Sequence, residues 1–154
     1  MAFLSATGTC VAIAETQPTT FDEAGYAALT WETIGEVTDT GDWGGSFAVV
    51  QHQNICDGVM KKAKGSFDPG QADMTLAVDP EDAGQLIVKD YYNGDKRFDS
   101  APIRITDPWG TIDYVTAKVV SFTKSASSPD DPYTAAVSLA YDREFVTVEP
   151  STGV

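Results

Sequence analysis

Cysteine and histidine are almost missing from this chain of 154 residues, which has Cys10, Cys56 and the single histidine His52. With no CxxC spacing and no histidine cluster, a zinc site is not supported, and a chain of this length buries a core without disulfide or metal. The two thiols are expected to be buried and free. Basic residues are scarce as well: 10 Lys and Arg stand against 23 Asp and Glu, a formal net charge of −13. Gripping nucleic acid requires a clustered excess of cations, so that class is excluded. No apolar run approaches the length of a membrane span. The start, Met-Ala-Phe-Leu-Ser-Ala-Thr-Gly-Thr-Cys, lacks the basic opening of a secretory signal, so synthesis in the cytoplasm with no membrane partner is expected. There is no internal repeat, and low complexity is confined to the serines of residues 125–128.

The motifs of the common enzyme classes are missing too. No GxGxxG, Walker loop, GxSxG or HExxH occurs. His52 and Cys56 are four residues apart, but on a strand that spacing separates them by more than about 10 Å, too far for a nucleophile and its base. Asp130 with Asp131 falls in a polar loop, and Glu81 with Asp82 falls in a first helical turn, where acid is expected anyway. Asp39 and Asp42 beside Gly41 and Gly44 have calcium-loop composition without that motif's alternating ligands or its final Glu. The expectation is a protein without catalytic residues, metal or cofactor.

What is present is a series of short segments punctuated by Gly and Pro. Residues 10–15, 31–38, 46–55, 60–68, 74–78, 98–106, 111–123 and 133–141 read as strands, and residues 21–29 as a short helical turn weakened by Gly25. In the last strand Tyr133, Ala135, Val137, Leu139 and Tyr141 share a core face. Thr134, Ala136, Ser138, Ala140 and Asp142 share a small-residue face, a candidate interface. Asp107-Pro-Trp-Gly110 makes a hairpin connection. The clearest helix covers residues 80–94, with Asp79 as N-cap, Pro80 at the first helical position and Asn93-Gly94 as a left-handed stop. Its apolar stripe is Ala83, Leu86, Ile87 and Tyr91, with Gln85 off it. The predicted fold class is mainly β (α+β): an antiparallel β-sandwich or barrel-like subunit with one flanking α-helix. Residues 1–154 form one domain, with a mobile N-terminal arm (1–9) and C-terminal arm (146–154).

Asp39-Thr-Gly-Asp-Trp-Gly-Gly-Ser46 cannot hold regular structure and is predicted to be a long exposed loop. Lys61, Lys62 and Lys64 are the only basic cluster. They are either a solvated strand edge or a contact to an acidic surface of a neighbouring copy, such as that near Asp39 and Asp42. Candidate contact residues on this reading are Asp39, Asp42, Lys61, Lys62 and Lys64. The alternative is a monomeric β-sandwich binding module, in which Trp43 and Trp109 at exposed turns stack on sugar rings.

The order of motifs carries a resemblance. Trp31-Glu-Thr-Ile-Gly-Glu-Val-Thr-Asp-Thr-Gly-Asp-Trp-Gly44, then Gly58-Val-Met-Lys-Lys-Ala-Lys-Gly65, then Asp82-Ala-Gly-Gln85 and the hairpin over 103–122 resemble the major tail tube protein of long non-contractile-tailed bacteriophages and gene transfer agents. Each piece is weak alone, while their order over nearly the whole chain is specific. The resemblance implies hexameric rings stacked into a tube whose β-lined lumen conducts DNA. It also implies partners: other copies of the chain, a tape-measure protein, a tail tip or baseplate, and a tail terminator. The location it implies is the virion tail, assembled in the host bacterial cytoplasm. Under it the 39–46 loop and the terminal arms bridge rings, which adds Gly41, Trp43, Gly44 and Gly45 to Asp39, Asp42, Lys61, Lys62 and Lys64 as candidate contact residues, and the role of residues 125–132 stays open.

Overall fold

Alternation of apolar and polar side chains builds the main sheet, and β9 (Thr134–Tyr141) shows it most plainly, with Ala135, Val137, Leu139 and Tyr141 buried and Ala136 exposed. Tyr133, placed on that core face by parity, precedes the strand and is exposed. The structure, a computed structural model, describes residues 3–150. β9 lies between β6 (Gln71–Ala77) and the second half of β8 (Ile112–Ser125), while β7 (Ala101–Thr106) and β10 (Val146–Val148) flank the first half of β8. β1 (Cys10–Ala14) pairs with β7, and β2 (Trp31–Thr33) and β3 (Val37–Asp39) end the order β2-β1-β7-β8-β9-β6-β3. All of these pairings are antiparallel.

β2 and β3 stand at opposite ends of that order, yet only Ile34, Gly35 and Glu36 separate them in the chain. Such a link reaches about 14 Å at most, so the sheet curls until its ends meet and the fold becomes barrel-like. The corner is tied on both sides: the Ile34 amide donates to Val11 O at 2.8 Å, and the Ala77 amide donates to Glu36 O at 2.9 Å. The strand expected over 31–38 is thus broken at a corner, with its halves serving different neighbours. Glu36 makes the bend at φ 59°, a conformation its residue type does not announce.

Inside the curl pack Val11, Ile13, Met74, Leu76, Ile103, Ile105, Val115, Val137 and Leu139. Helix α2 (Ala83–Asn93) closes on β1, β2 and β8, burying Ile87, Val88 and Tyr91, each worth about 1.5–3 kcal/mol of apolar burial. Three features of the predicted helix are corrected. The N-cap is Asp82, whose carboxylate accepts from the Gln85 amide at 3.0 Å, while Asp79, Pro80 and Glu81 form a preceding turn. Gly94 ends the helix in an extended conformation (φ −94°), not a left-handed one. The buried face is also rotated: Ala83 and Leu86 are exposed, and Gln85 is fully buried.

That rotation is fixed at the corner. Gly84 rests on the backbone of Thr33 and Ile34, where a Cβ would lie 2.7 Å from Ile34 Cα, so this position must face the sheet. Gln85 follows it inward, and its amide is fully used. Nε2 donates to Gly35 O and to Ala77 O, both at 2.9 Å, and Oε1 accepts from the Asp79 amide at 3.0 Å. Asp82 also accepts from the Gly35 amide at 3.0 Å. The Asp-Ala-Gly-Gln sequence therefore clamps the point where the two ends of the sheet join.

A second, smaller core sits outside the barrel. Helix α1 (Glu23–Ala27), capped by Asp22, buries Tyr26 completely. Tyr26 stacks on Tyr114 at 5.2 Å with nearly parallel rings, and Trp31 donates its indole N–H to Tyr26 O at 2.9 Å. The C-terminal arm expected over 146–154 is in part β10, paired to β8 through Val146, Thr147 and Val148. Residues 3–9 of the N-terminal arm hold no helix or strand. Residues 1, 2 and 151–154 of the two arms lie outside the described residues. Cys10 and Cys56 are free, as expected, but exposed instead of buried.

Candidate assembly surface

β4 (Ser46–Gln53) and β5 (Met60–Asp68) form a two-stranded antiparallel ribbon that pairs with no strand of the barrel. Its tip is held by local bonds: the Gly58 amide donates to Asn54 O at 2.8 Å, the Cys56 amide to Asn54 Oδ1 at 2.9 Å and the Val59 amide to Asp57 Oδ1 at 3.0 Å. At its base Gly45 adopts φ 76°, and a Cβ there would lie 2.6 Å from Asp68 O. Glycine at 45 lets the chain turn out of the barrel.

The predicted contact residues divide between base and ribbon. Asp39 ends β3, Gly41 and Trp43 are half-buried, and Asp42, Gly44 and Gly45 are exposed, so the stretch over 39–46 is only partly the exposed loop expected. Trp43 packs on the edge of the core and donates its indole N–H to Asp113 Oδ2 at 2.7 Å. Thr147 donates to the other Asp113 oxygen at 2.6 Å, which ties the ribbon base to β10. A tryptophan committed in this way does not offer its face to a sugar, and of the two aromatics of the binding-module alternative only Trp109 is exposed.

Lys61, Lys62 and Lys64 lie on β5 but do not share a face. Cross-strand pairing puts Lys62 and Lys64 with Phe47, Val49, Gln51, Gln53, Met60 and Phe67, whereas Lys61 is paired with His52 beside Val50 and Ala63 on the opposite side. Lys64 Nζ stands 4.8 Å over the Phe47 ring, and Lys61 reaches only Asp57, at 3.9 Å with both side chains well exposed. An ion pair of that kind contributes little. Within residues 46–68 three lysines meet Asp57 and Asp68, while the rest of the chain holds seven Lys and Arg against 21 Asp and Glu. The ribbon is the positive part of a negative molecule.

Sequence reasoning missed the feature that most sets the ribbon apart. Phe47, Val49, Val50, Ile55, Val59 and Met60 are all exposed, with Ile55 wholly in solvent. The signal was the punctuation, Gly44-Gly45 before the segment and Pro69-Gly70 after it, which isolates two strands between turns. A monomer leaves this apolar surface uncovered, and such surface is typical of interaction sites.

No family model matches the chain, and no curated protein matches it. Solved structures do. A chain of the PVC extracellular contractile injection system, in the sheath/tube terminator in its extended state, superposes with TM-score 0.66 at 15% identity over 96% of this chain and 98% of that one. A chain of the anti-feeding prophage (AFP) baseplate superposes with TM-score 0.68 at 11% identity, covering 97% and 98%. A chain of the PVC sheath-tube complex in the extended state gives TM-score 0.62 at 17% identity, covering 97% and 93%. The PVC system is contractile, whereas the sequence resemblance is to non-contractile tails. In fold, the chain is like chains of these assemblies over nearly its whole length, and its architecture is mainly antiparallel β with short helices.

Proposed function

We propose that the chain is the repeating structural subunit of a phage-type tail tube, forming stacked hexameric rings whose lumen conducts DNA. The observation that carries this reading is the ribbon: a barrel of tube-like fold extends a positive, apolar-faced arm that the monomer itself does not cover. Assembly between copies removes that surface from water, which favours association. The net charge of −13 suits a conduit, since a negative wall repels phosphate and lets the genome slide without sticking. The chain has no covalent chemistry to perform, and its role is assembly and passage. The wider proposal follows the sequence resemblance: a non-contractile tail or gene transfer agent, a tape-measure protein inside the tube, a tail tip or baseplate at one end and a terminator at the other. The particle is assembled in the host bacterial cytoplasm.

Negative-stain microscopy of concentrated purified protein, with and without tail-tip complexes as seeds, tests the reading. Tubes of stacked rings are expected. Monomers under both conditions would overturn it.

A further inference from the structure

Leu86 is the most exposed large apolar side chain of the amphipathic helix. Leu86 points away from the core that Ile87, Val88 and Tyr91 enter, and it is 49% exposed. It forms part of a groove of about 550 Å³ along α2 where the helix approaches β1 and β2. Ala83 and Leu86 supply apolar surface over the buried Ile87, Glu15, Glu32 and Asp90 supply carboxylates, and Lys89 is the one cation of the lining. The groove is apolar within and mainly negative at its edge.

The ribbon tip has the opposite character. Ile55 is wholly exposed and Val59 and Met60 are about half exposed, with Lys61 and Lys62 directly behind them. Resting on the assembly reading above, we infer that the ribbon tip of one copy seats in the α2 groove of a neighbouring copy. Ile55 and Val59 cover Leu86 and Ala83, and the lysines stand against Glu15, Glu32 and Asp90. Charge complementarity selects a second copy as the occupant, because the ribbon is the positive segment and the groove belongs to the negative remainder. Donor and acceptor surfaces are different parts of the molecule, so the contact is heterologous. Such contacts propagate into rings or open filaments instead of stopping at a dimer.

Cys56, exposed at the tip, is a native probe. In a Cys10→Ser background, Leu86→Cys puts a thiol in the groove, and Trp109→Cys puts one on the exposed β7–β8 turn as a control. A disulfide forms only when the two Cβ atoms come within about 4.5 Å. Oxidation of assembled protein is expected to give a ladder of cross-linked chains on non-reducing gels for Leu86→Cys and none for Trp109→Cys. Tubes without a Leu86-dependent ladder would overturn the docking and leave the tube reading standing, whereas failure of every form to assemble would overturn both. Leu86→Glu is expected to keep the melting temperature of the monomer and raise the critical concentration for assembly about tenfold or more. Assembly of that variant at the wild-type concentration would overturn the docking.

Discussion

The barrel and the ribbon are made from the same chain by the same antiparallel pairing, yet they use their side chains in opposite ways. In the barrel, large apolar residues face inward, and the buried amide of Gln85 has all its hydrogen bonds made. In the ribbon, both faces meet solvent, and among the described residues six large apolar side chains stand from about half to wholly exposed. An isolated two-stranded ribbon is marginal in water at best. Its persistence as a surface is understandable if its cover comes from outside. The barrel thus carries folding and the ribbon carries association, and the two are separable by mutation.

The largest effects belong to the barrel. Leu139→Ala opens a cavity beneath β9 and is expected to cost about 2–5 kcal/mol, read as a lowered midpoint in urea unfolding. Gln85→Ala strands the Gly35 and Ala77 carbonyls and the Asp79 amide, and a loss of about 2–4 kcal/mol is expected from leaving buried polar groups unpaired. If Gln85→Ala unfolded at the wild-type midpoint, the clamp at the corner would not hold the barrel closed.

Alkali separates the same two regions without mutation. Burial pushes the Tyr91 hydroxyl up to about 12, from an ordinary 10.0, and it donates to Glu15 O at 3.0 Å and to Ala14 O at 3.2 Å. Burial pushes Tyr141 up to about 12 as well. A raised folded-state value means that the stability held by the neutral phenol is complete below about pH 10 and is lost as pH rises toward 12. For Tyr91 the loss amounts to about 2–3 kcal/mol. The ribbon contains no tyrosine, so tyrosinate absorbance reports the rest of the molecule alone. Burial raises Tyr26 as well, so three of the six tyrosines are expected to titrate late, and excision of residues 46–68 is expected to leave that late phase in place.

At the joint between the regions, Asp113→Ala frees the Trp43 indole and the Thr147 hydroxyl together. A loss of about 1–2 kcal/mol is expected, chiefly from the partly buried Trp43 bond since the Thr147 bond is exposed, with a shift in tryptophan fluorescence as Trp43 becomes more exposed. An unchanged spectrum would mean that the ribbon base is held by packing alone.

The sequence made the barrel's regular parts readable and hid its special ones. β9 follows its alternation because one face is buried along the whole strand, and the turn at Asp107-Pro-Trp-Gly110 follows from residue chemistry. The helix start was misplaced because Asp79 and Asp82 are both competent caps. The choice between them is made by Gly35, whose amide Asp82 reaches from 47 residues away. The corner at Ile34, Gly35 and Glu36 left no periodic trace, since a break in pairing partners does not interrupt the alternation itself. In the site, the glycines of the base were legible, and parity alone separates Lys61 from Lys62 and Lys64. The exposed apolar residues were not legible, because a strand covered by its own core and one covered by another copy carry the same residues.

The smallest effect is also the sharpest test of the division. Read from the 3.6-residue pattern, Leu86 belongs to the core stripe, and Leu86→Ala then costs about 2–5 kcal/mol as a buried truncation. In the fold, Gly84 and Gln85 turn that stripe so that Leu86 stands about half in solvent, and its removal opens no cavity in the barrel. The same holds at Ile55, which touches nothing that folding requires. Leu86→Ala and Ile55→Ser are each expected to change the unfolding free energy by no more than about 0.5 kcal/mol, the scale of an ordinary surface substitution. A cost of 2 kcal/mol or more for Leu86→Ala would return this residue to the core and erase the separation at the helix. An unchanged melt with impaired assembly would place the apolar groups that the monomer leaves uncovered at the contact between copies.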